Sequence, residues 1–431
     1  MRPTCSPDVA HPRCKQHAAI FHVNSANAGQ LVANHLCALG WTYVDKEQLA
    51  EARAERGEAS WLQRGKERGL GWRAERILEW RVNPSLVDYD AMIAGGSDIA
   101  NMLPDGYLTR KDGLAETLNA WGDSMGPQCA QAVNTRLVPQ TFLLADAGEC
   151  SAFVKQVEEE PGTWYILKPS KGYGGNGLAV WPSQGALDAT TARFLGRGNA
   201  CPADKPSVAQ RYLREPLLLD GRKWDLRMYA VLARVDPPVA YYARGHARLS
   251  LEAYNESKSD LGVHLTNTNV AKKSADYNPE SAEEHNWSID RLKAHLRSLG
   301  SAHAAFADSL EPQIKRMMVT TLAAGHARWA DGSAAADNVF QVFGFDFMVT
   351  TDLRVWLIEV NKNPLYWPTT RTKLPTTPAL VRDTLDVVTT LQTARLAGLT
   401  AGCHELAGRR NGTLQPIIDG DWNYGLIQGC V

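Results

Sequence analysis

Residues 340–361 read FQVFGFDFMVTTDLRVWLIEVN, two apolar runs separated by a polar break at Thr350–Arg354. Both runs have strand length and are rich in β-branched and aromatic residues, so they predict a hairpin of two buried strands. Three polar residues interrupt them: Asp346 between Phe345 and Phe347, then Glu359 and Asn361, two apart, at the end of the second run. A carboxylate in apolar surroundings is costly unless its charge is compensated. Pairing across the turn brings Asp346 to Glu359 and Asn361. One reading matches the carboxylates with nearby arginines. The other makes the three residues hard oxygen ligands for Mg²⁺, which keeps waters and also takes phosphate oxygens. A cation between two carboxylates removes their repulsion.

An upstream stretch favours the cation. In WYILKPSKGYGGNGLAVW a strand delivers Lys168, Pro169 ends it, and Gly172, Gly174, Gly175 and Gly177 make a glycine-rich turn before a second strand. Glycines let backbone N–H groups close over phosphates, and a lysine from the strand neutralises them. The lysine precedes the glycines, so the pattern is not a P-loop; a β-loop-β phosphate cover is closer to kinases and ATP-grasp ligases. A hairpin whose glycines merely turn the chain is the plain alternative. Farther on, Lys223, Asp225 and Arg227 alternate with Trp224, Leu226 and Met228. Strand period two puts the three charges on one face. The run to Leu232 is so apolar that this strand is expected to be central, its charged face lining a cleft instead of facing solvent.

Around these motifs the chain divides into blocks. Residues 1–16 read as a flexible lead. AAIFHVN, SANAGQLVANHLCALG (with Ser25 as cap) and WTYVD make a βαβ-like beginning, and Lys46 to Arg81 is expected to be helical. A helix from Thr109 to Trp121 and a breaker-rich link close an N-terminal lobe at 17–122. A central lobe follows at 129–212 and a C-terminal lobe at 213–396, with little pattern in the 397–431 tail. The fold class is α/β (α+β). The formal net charge is −1, so there is no global basic field. Nucleic acid is not an expected partner, and an acidic partner has to meet a local patch such as Arg64, Lys66, Arg68, Arg73 and Arg76. No apolar run approaches the roughly 20 residues that cross a bilayer, and MRPTCSPDVAHPRC lacks the apolar core of a secretory signal. The eight cysteines are scattered without a CxxC pair, which predicts reduced thiols in a cytoplasmic protein, not a disulfide framework.

In this order, QRYLREPLLLDGRKWDLRMYAVL, HLTN, FQVFGFDFMV and VWLIEVN resemble the tubulin tyrosine ligase-like family of ATP-grasp enzymes, from about residue 108 to 361 and more weakly to 395. The resemblance implies an ATP-grasp fold of N-terminal, central and C-terminal lobes, with ATP between the last two. It implies an ATP-dependent ligase. A carboxyl group on a tubulin tail is phosphorylated, and a free amino acid attacks the acylphosphate through its amine. Glutamate is the first donor to consider; tyrosine, glycine and a non-tubulin acceptor are the alternatives, and a non-catalytic microtubule-binding module is the reading from another class. Cytoskeletal location, cilium or basal body included, and a targeting partner come with the same likeness.

Roles carry over by position. Lys111 and Lys168 match phosphate-contacting lysines, and Gly172, Gly174, Gly175 and Gly177 the phosphate-covering loop. Gln210, Arg211, Tyr212 and Leu213 match the hinge that reads adenine; Lys223 and Asp225 match groups near the nucleotide. Arg227 and Arg248 match catalytic residues near the γ-phosphate and acyl centre, Thr266 and Asn267 the HLTN contacts, and Asp346, Glu359 and Asn361 the magnesium ligands. The chain departs from the family after Asn361, where Lys362 and Asn363 replace small residues, and in the glycine loop, which Lys171 and Tyr173 make bulkier.

Overall fold

The computed structural model describes residues 18–25, 28–54, 74–82, 84–89, 98–103, 106–172, 177–181, 201, 203, 206–255, 266, 282–329, 339–368, 370–396, 412–420 and 425–430. The chain opens with β1 (Ala18–Asn24), α1 (Gly29–Ala38), β2 (Thr42–Tyr43), α2 (Lys46–Ala54), β3 (Ala74–Arg81) and β4 (Ile99–Asn101). Then come α3 (Lys111–Ser124), α4 (Pro127–Ala132), β5 (Thr141–Leu143), α5 (Ala147–Glu159), β6 (Tyr165–Pro169), β7 (Ala179–Trp181) and β8 (Ser207–Arg211). The last stretch holds β9 (Arg222–Arg234), β10 (Val239–Ala253), β11 (Asn286–Ser288), α6 (Ile289–Ser298), α7 (Ser301–Trp329), β12 (Val339–Val349), β13 (Val355–Asn361), α8 (Thr377–Leu396) and β14 (Leu414–Asp419).

One large mixed sheet runs β11-β10-β9-β12-β4-β3-β1-β2, with β13 on β12 and β14 on β10. The strands of the first hundred residues thus continue into the strands that carry the polar motifs, through a parallel pairing of Val339 with Ala100. Apolar side chains on one face (Trp224, Leu226, Met228, Phe343, Phe345) pack under α7. On the other face Phe21, Trp80, Val231 and Phe340 pack with α1 and α8. Burial on both faces explains why these strands read as continuous apolar runs. A separate four-stranded sheet, β5-β8-β6-β7, has its own core of Phe142, Phe153, Tyr165 and Leu167 against α5.

Three sequence expectations change. The segment ending at Arg81 is a strand over Ala74–Arg81, parallel to β1, and only Lys46–Ala54 is helix. Ile77 and Leu78 are both buried, one on each face, so no period-two alternation marks the strand. The tail contains β14, which pairs antiparallel with β10. The cysteines are not all reduced: Cys129 bonds to Cys430 and Cys150 to Cys201, and Cys37 is also in a disulfide. The two bridges span sequence separations of 301 and 51. Tertiary packing brings these sulfurs together, and no short spacing announces it. Of the candidate basic patch, Arg64, Lys66, Arg68 and Arg73 lie outside the described residues. Arg76 is engaged, stacked 5.1 Å over Trp41 and donating to Thr393 at 2.9 Å.

Candidate functional site

The hairpin forms as its sequence predicts, turning at Thr350–Arg354, and its register sets Asp346 opposite Glu359 and Gly344 opposite Asn361. The ladder shifts between Asp346 and Phe347, so one residue of β13 is left over and Glu359 keeps its place beside Asp346. The central strand β9 lies on the other side of β12, with Arg227 opposite Asp346. Lys223, Asp225 and Arg227 share the face away from Trp224, Leu226 and Met228, as the alternation requires.

Charges meet closely there. Arg227 grips Asp346 with two parallel bonds, the second 2.9 Å from Nη2 to Oδ2. Arg248 donates to both oxygens of Asp225 at 2.7 and 2.6 Å and reaches Asp346 at 3.0 Å. Thr266 also donates to Asp225. Burial would raise the Asp346 carboxyl, but Arg227 and Arg248 outweigh it and hold Asp346 well below the usual carboxylate range. So the arginine match weighed in the sequence is present, for Asp346. Glu359 differs: its nearest cation is Lys111, 4.0 Å away.

Asn361 stands between the carboxylates, its Nδ2 3.3 Å from Asp346 Oδ2 and 3.2 Å from Glu359 Oε1. The donor set is therefore two carboxylates and one amide. Turning that amide over presents its oxygen where its N–H groups now point, giving three hard oxygens facing one point. The residues fit a divalent cation that completes its shell with water and phosphate. Among the described residues no group of three or more His, Cys, Asp or Glu side chains forms a metal cage by itself.

Two buried lysines stand near these charges. Lys168, on β6, is buried and donates to Gln210 Oε1 at 2.7 Å; Gln210 in turn donates to Thr141 at 3.0 Å. Lys223 is buried and donates to the Tyr212 hydroxyl at 2.9 Å. Neither makes an ion pair with a carboxylate among the described residues. Burial lowers the Lys168 ammonium to about 8 and that of Lys223 to about 7. Buried cations with no carboxylate in direct contact, whose burial outweighs the pull of Glu359, Asp346 and Asp225, mark a site for an anion. Lys111, at the start of α3, donates to the Gly172 carbonyl at 3.0 Å and closes the same cleft.

The cleft encloses about 530 Å³ including its open mouth, between α3, β6, β8 and β13. Lys111, Lys168, Gly172, Gln210, Glu359 and Asn361 line it, with Leu114, Leu118 and Val208 as an apolar wall. Gly177 has φ +76°, and a Cβ there would stand 2.8 Å from Pro169, so glycine is required at the end of the loop. Arg211 is exposed at the end of β8, Tyr212 is buried with its amide on the Trp164 carbonyl at 2.8 Å, and Leu213 is half-buried. Gly174, Gly175 and Asn267 lie outside the described residues.

Sequence reasoning missed His246. It lies opposite Arg227 on β10, after a bulge that takes up Arg244 and Gly245. It is 3% exposed, and its Nδ1 has no hydrogen-bond partner. The signal was present: His246 stands two residues before Arg248, so it shares that residue's face of the strand.

Comparison with known proteins adds the following. The Tubulin-tyrosine ligase family profile matches residues 95–395. A protein polyglycylase TTLL10 of Macaca fascicularis is 26% identical over 419 residues, covering 87% of this chain and 63% of the relative. The inactive polyglycylase TTLL10 of Homo sapiens is 26% identical over 401 residues, covering 88% and 58%. A probable alpha-tubulin polyglutamylase Ttll1 of Tetrahymena thermophila is 27% identical over 344 residues, covering 75% and 79%. The chain spans about three fifths of the length of the first two.

Proposed function

The chain belongs to the tubulin-tyrosine ligase family, and from that premise we propose that it is an ATP-dependent ligase joining a free amino acid to a carboxyl group on a tubulin tail. The observation that carries the reading is the pair of buried lysines, Lys168 and Lys223, neither in an ion pair with a carboxylate among the described residues, with Lys168 lining the cleft together with Glu359 and Asn361. A polyphosphate supplies the anion that those lysines lack. Mg²⁺ held by Asp346, Glu359 and Asn361 would screen the phosphate charge.

The chain's own residues then divide the work. Lys111, Lys168 and Lys223 bind phosphates, with Gly172 to Gly177 closing over them. Lys168 is oriented by Gln210, and Lys223 by Tyr212. Arg227 and Arg248 are committed to Asp346 and Asp225 in this structure. A cation held by Asp346 would compete for its carboxylate, and Arg227 and Arg248 would then be available to stabilise negative charge on the phosphoryl group and the acyl oxygen. The acceptor's carboxylate oxygen takes the γ-phosphoryl group as its bond to the β-phosphate oxygen breaks and ADP leaves. The donor's amine then attacks the acyl carbon, the C–O bond to phosphate breaks, and an amide and inorganic phosphate result. Glutamate is the donor in this reading; glycine is the second, favoured by the likeness to polyglycylases.

The test incubates purified protein with Mg·ATP, microtubules and labelled glutamate, glycine or tyrosine, followed by intact-mass analysis of tubulin. One donor should add its residue mass, and Glu359→Gln should lower the rate about 100-fold or more, as loss of a charge-stabilising group at a phosphoryl centre does. No gain with any donor, from protein that binds Mg·ATP, refutes the tubulin reading.

A further inference from the structure

The β-ladder of the catalytic sheet aligns one row of polar side chains across four strands. His246 on β10 lies opposite Arg227 on β9, Arg227 opposite Asp346 on β12, and Asp346 opposite Glu359 on β13. Strands are about 4.8 Å apart, so the row is about 14 Å long. Three members have partners: Arg227 and Asp346 hold each other, and Asn361 donates to Glu359. His246 is the fourth, buried at the end away from Glu359, with Nδ1 unsatisfied.

A bulge puts it there. Ala243 pairs with Tyr229 and His246 with Arg227, so Arg244 and Gly245 of β10 face the single Met228 of β9, one residue in excess. A Cβ on Gly245 would lie 1.8 Å from the Arg227 carbonyl oxygen, so only glycine allows this approach. Without the bulge, strand alternation would turn a different residue to the cleft face. A buried polar atom without a partner is costly, and among the described residues His246 Nδ1 is such an atom at the end of a polar row.

Burial, then Lys373, Arg248 and Arg227, lowers the imidazole well below its ordinary range, so His246 is neutral at physiological pH. A neutral imidazole offers one N–H donor and one acceptor. The field of those three cations, only partly offset by Asp346, opposes an ammonium near the ring and favours a carboxylate. The segment after β13 brings Lys373 to this end: Thr372 donates to the Asn286 carbonyl at 3.0 Å, and Tyr366 is buried edge-on to Trp80.

We propose that His246, with Lys373, receives the α-carboxylate of the incoming amino acid. This rests on the ligase reading. There the donor's amine becomes the new amide nitrogen and its α-carboxylate takes no part in bond making. In sequence along the reacting atoms, that group lies farthest from the metal end, as His246 does along the row. The imidazole N–H donates to a carboxylate oxygen and its proton stays in place. His246 therefore acts as a donor-binding residue and not as a base.

The experiment measures binding of free amino acids by calorimetry to full-length protein saturated with Mg²⁺ and a non-hydrolysable ATP analogue. It compares wild type, His246→Leu and His246→Asn, the last placing an amide N–H near the position of Nδ1. His246→Leu should weaken the preferred amino acid about tenfold, the scale of one hydrogen bond to a charged group. Nucleotide affinity should change less than about twofold, and His246→Asn should recover most of the loss. The α-carboxamide of the same amino acid should bind wild-type protein at least about tenfold more weakly, a measurement that stands if His246→Leu fails to fold. Equal binding of the amino acid to wild type and His246→Leu, or of acid and amide to wild type, overturns the assignment and leaves the ligase reading intact. If no free amino acid binds while the nucleotide analogue does, both fall.

Discussion

If the proposed ligase reading holds, the two buried lysines make nucleotide binding a proton-uptake reaction. In the free protein the Lys168 ammonium titrates near 8 and that of Lys223 near 7. At pH 7 Lys168 is about nine-tenths charged and Lys223 about half; at pH 8 the fractions are about one half and one tenth. A bound triphosphate restores both charges, because it supplies the counter-ion that burial withheld. Affinity for Mg·ATP should therefore fall as pH rises, about twofold through Lys168 and about fivefold through Lys223 between pH 7 and 8. Together that is about tenfold, or about 1.4 kcal/mol. Calorimetry at pH 8 in buffers of different ionisation enthalpy should report an uptake of between one and two protons per nucleotide bound, shrinking toward half a proton at pH 7. Lys223→Met should reduce the tenfold pH dependence to about twofold, leaving the share of Lys168. Affinity that is constant or rising over this interval, with no buffer-dependent heat, would refute the idea that these lysines await phosphate. The same shifts fix the sign of the stability effect. Unfolded lysines bind protons that the folded ones have lost, so without ligand stability should rise with pH from about 7 toward the ordinary lysine value of 10.5.

Further outcomes follow from particular contacts. Gly245→Ala drives a methyl group into the Arg227 carbonyl and should cost about 3 kcal/mol or more, read as a lowered midpoint in urea together with loss of ligation. Glu311 is buried, which would raise its carboxyl, yet bonds from Arg244 at 2.7 and 2.8 Å, Tyr242 at 2.9 Å and Lys293 carry it down to about 2. Its contribution is present above the ordinary value of 4.5 and is lost as pH falls through about 2. Glu311→Gln should destabilise by about 2–3 kcal/mol in chemical denaturation at pH 7, a figure kept modest because Arg244 is 43% exposed. Alkylation of the denatured, unreduced protein should leave Cys129, Cys150, Cys201 and Cys430 unlabelled by intact mass. Labelling of all eight cysteines would contradict both bridges.

Local pattern made the strands that carry the chemistry legible. The break at Thr350–Arg354 set the hairpin, while the pairing of Asp346 with Glu359 also needs the one-residue shift beside Phe347, which the sequence does not announce. Alternation around Trp224 gave Lys223, Asp225 and Arg227 one face. What stayed hidden depends on neighbours distant in sequence. Ala74–Arg81 is a strand because β1 and β4 flank it in a sheet covered on both sides, where alternation carries no signal. Leu414–Asp419 pairs with an edge offered by β10. His246 comes opposite Arg227 only through a bulge, and a bulge changes strand parity without leaving a regular trace in the sequence. The contacts of the Gln210 amide with Lys168 and Thr141 were equally hidden, because they need β5, β6 and β8 assembled.

The bridge between Cys129 and Cys430 has a topological consequence. It closes the chain into a covalent ring across a sequence separation of 301, and the strands of the cleft that carry Lys168 and Glu359 lie on that ring. Lys168 and Glu359 are therefore joined by two covalent paths: one through the connecting backbone, the other back through Cys129, across the sulfur bridge and inward from Cys430. A protease cut on either path leaves the other intact, so a nicked molecule keeps its two walls tethered at high effective concentration and releases them only when the bridge is also reduced.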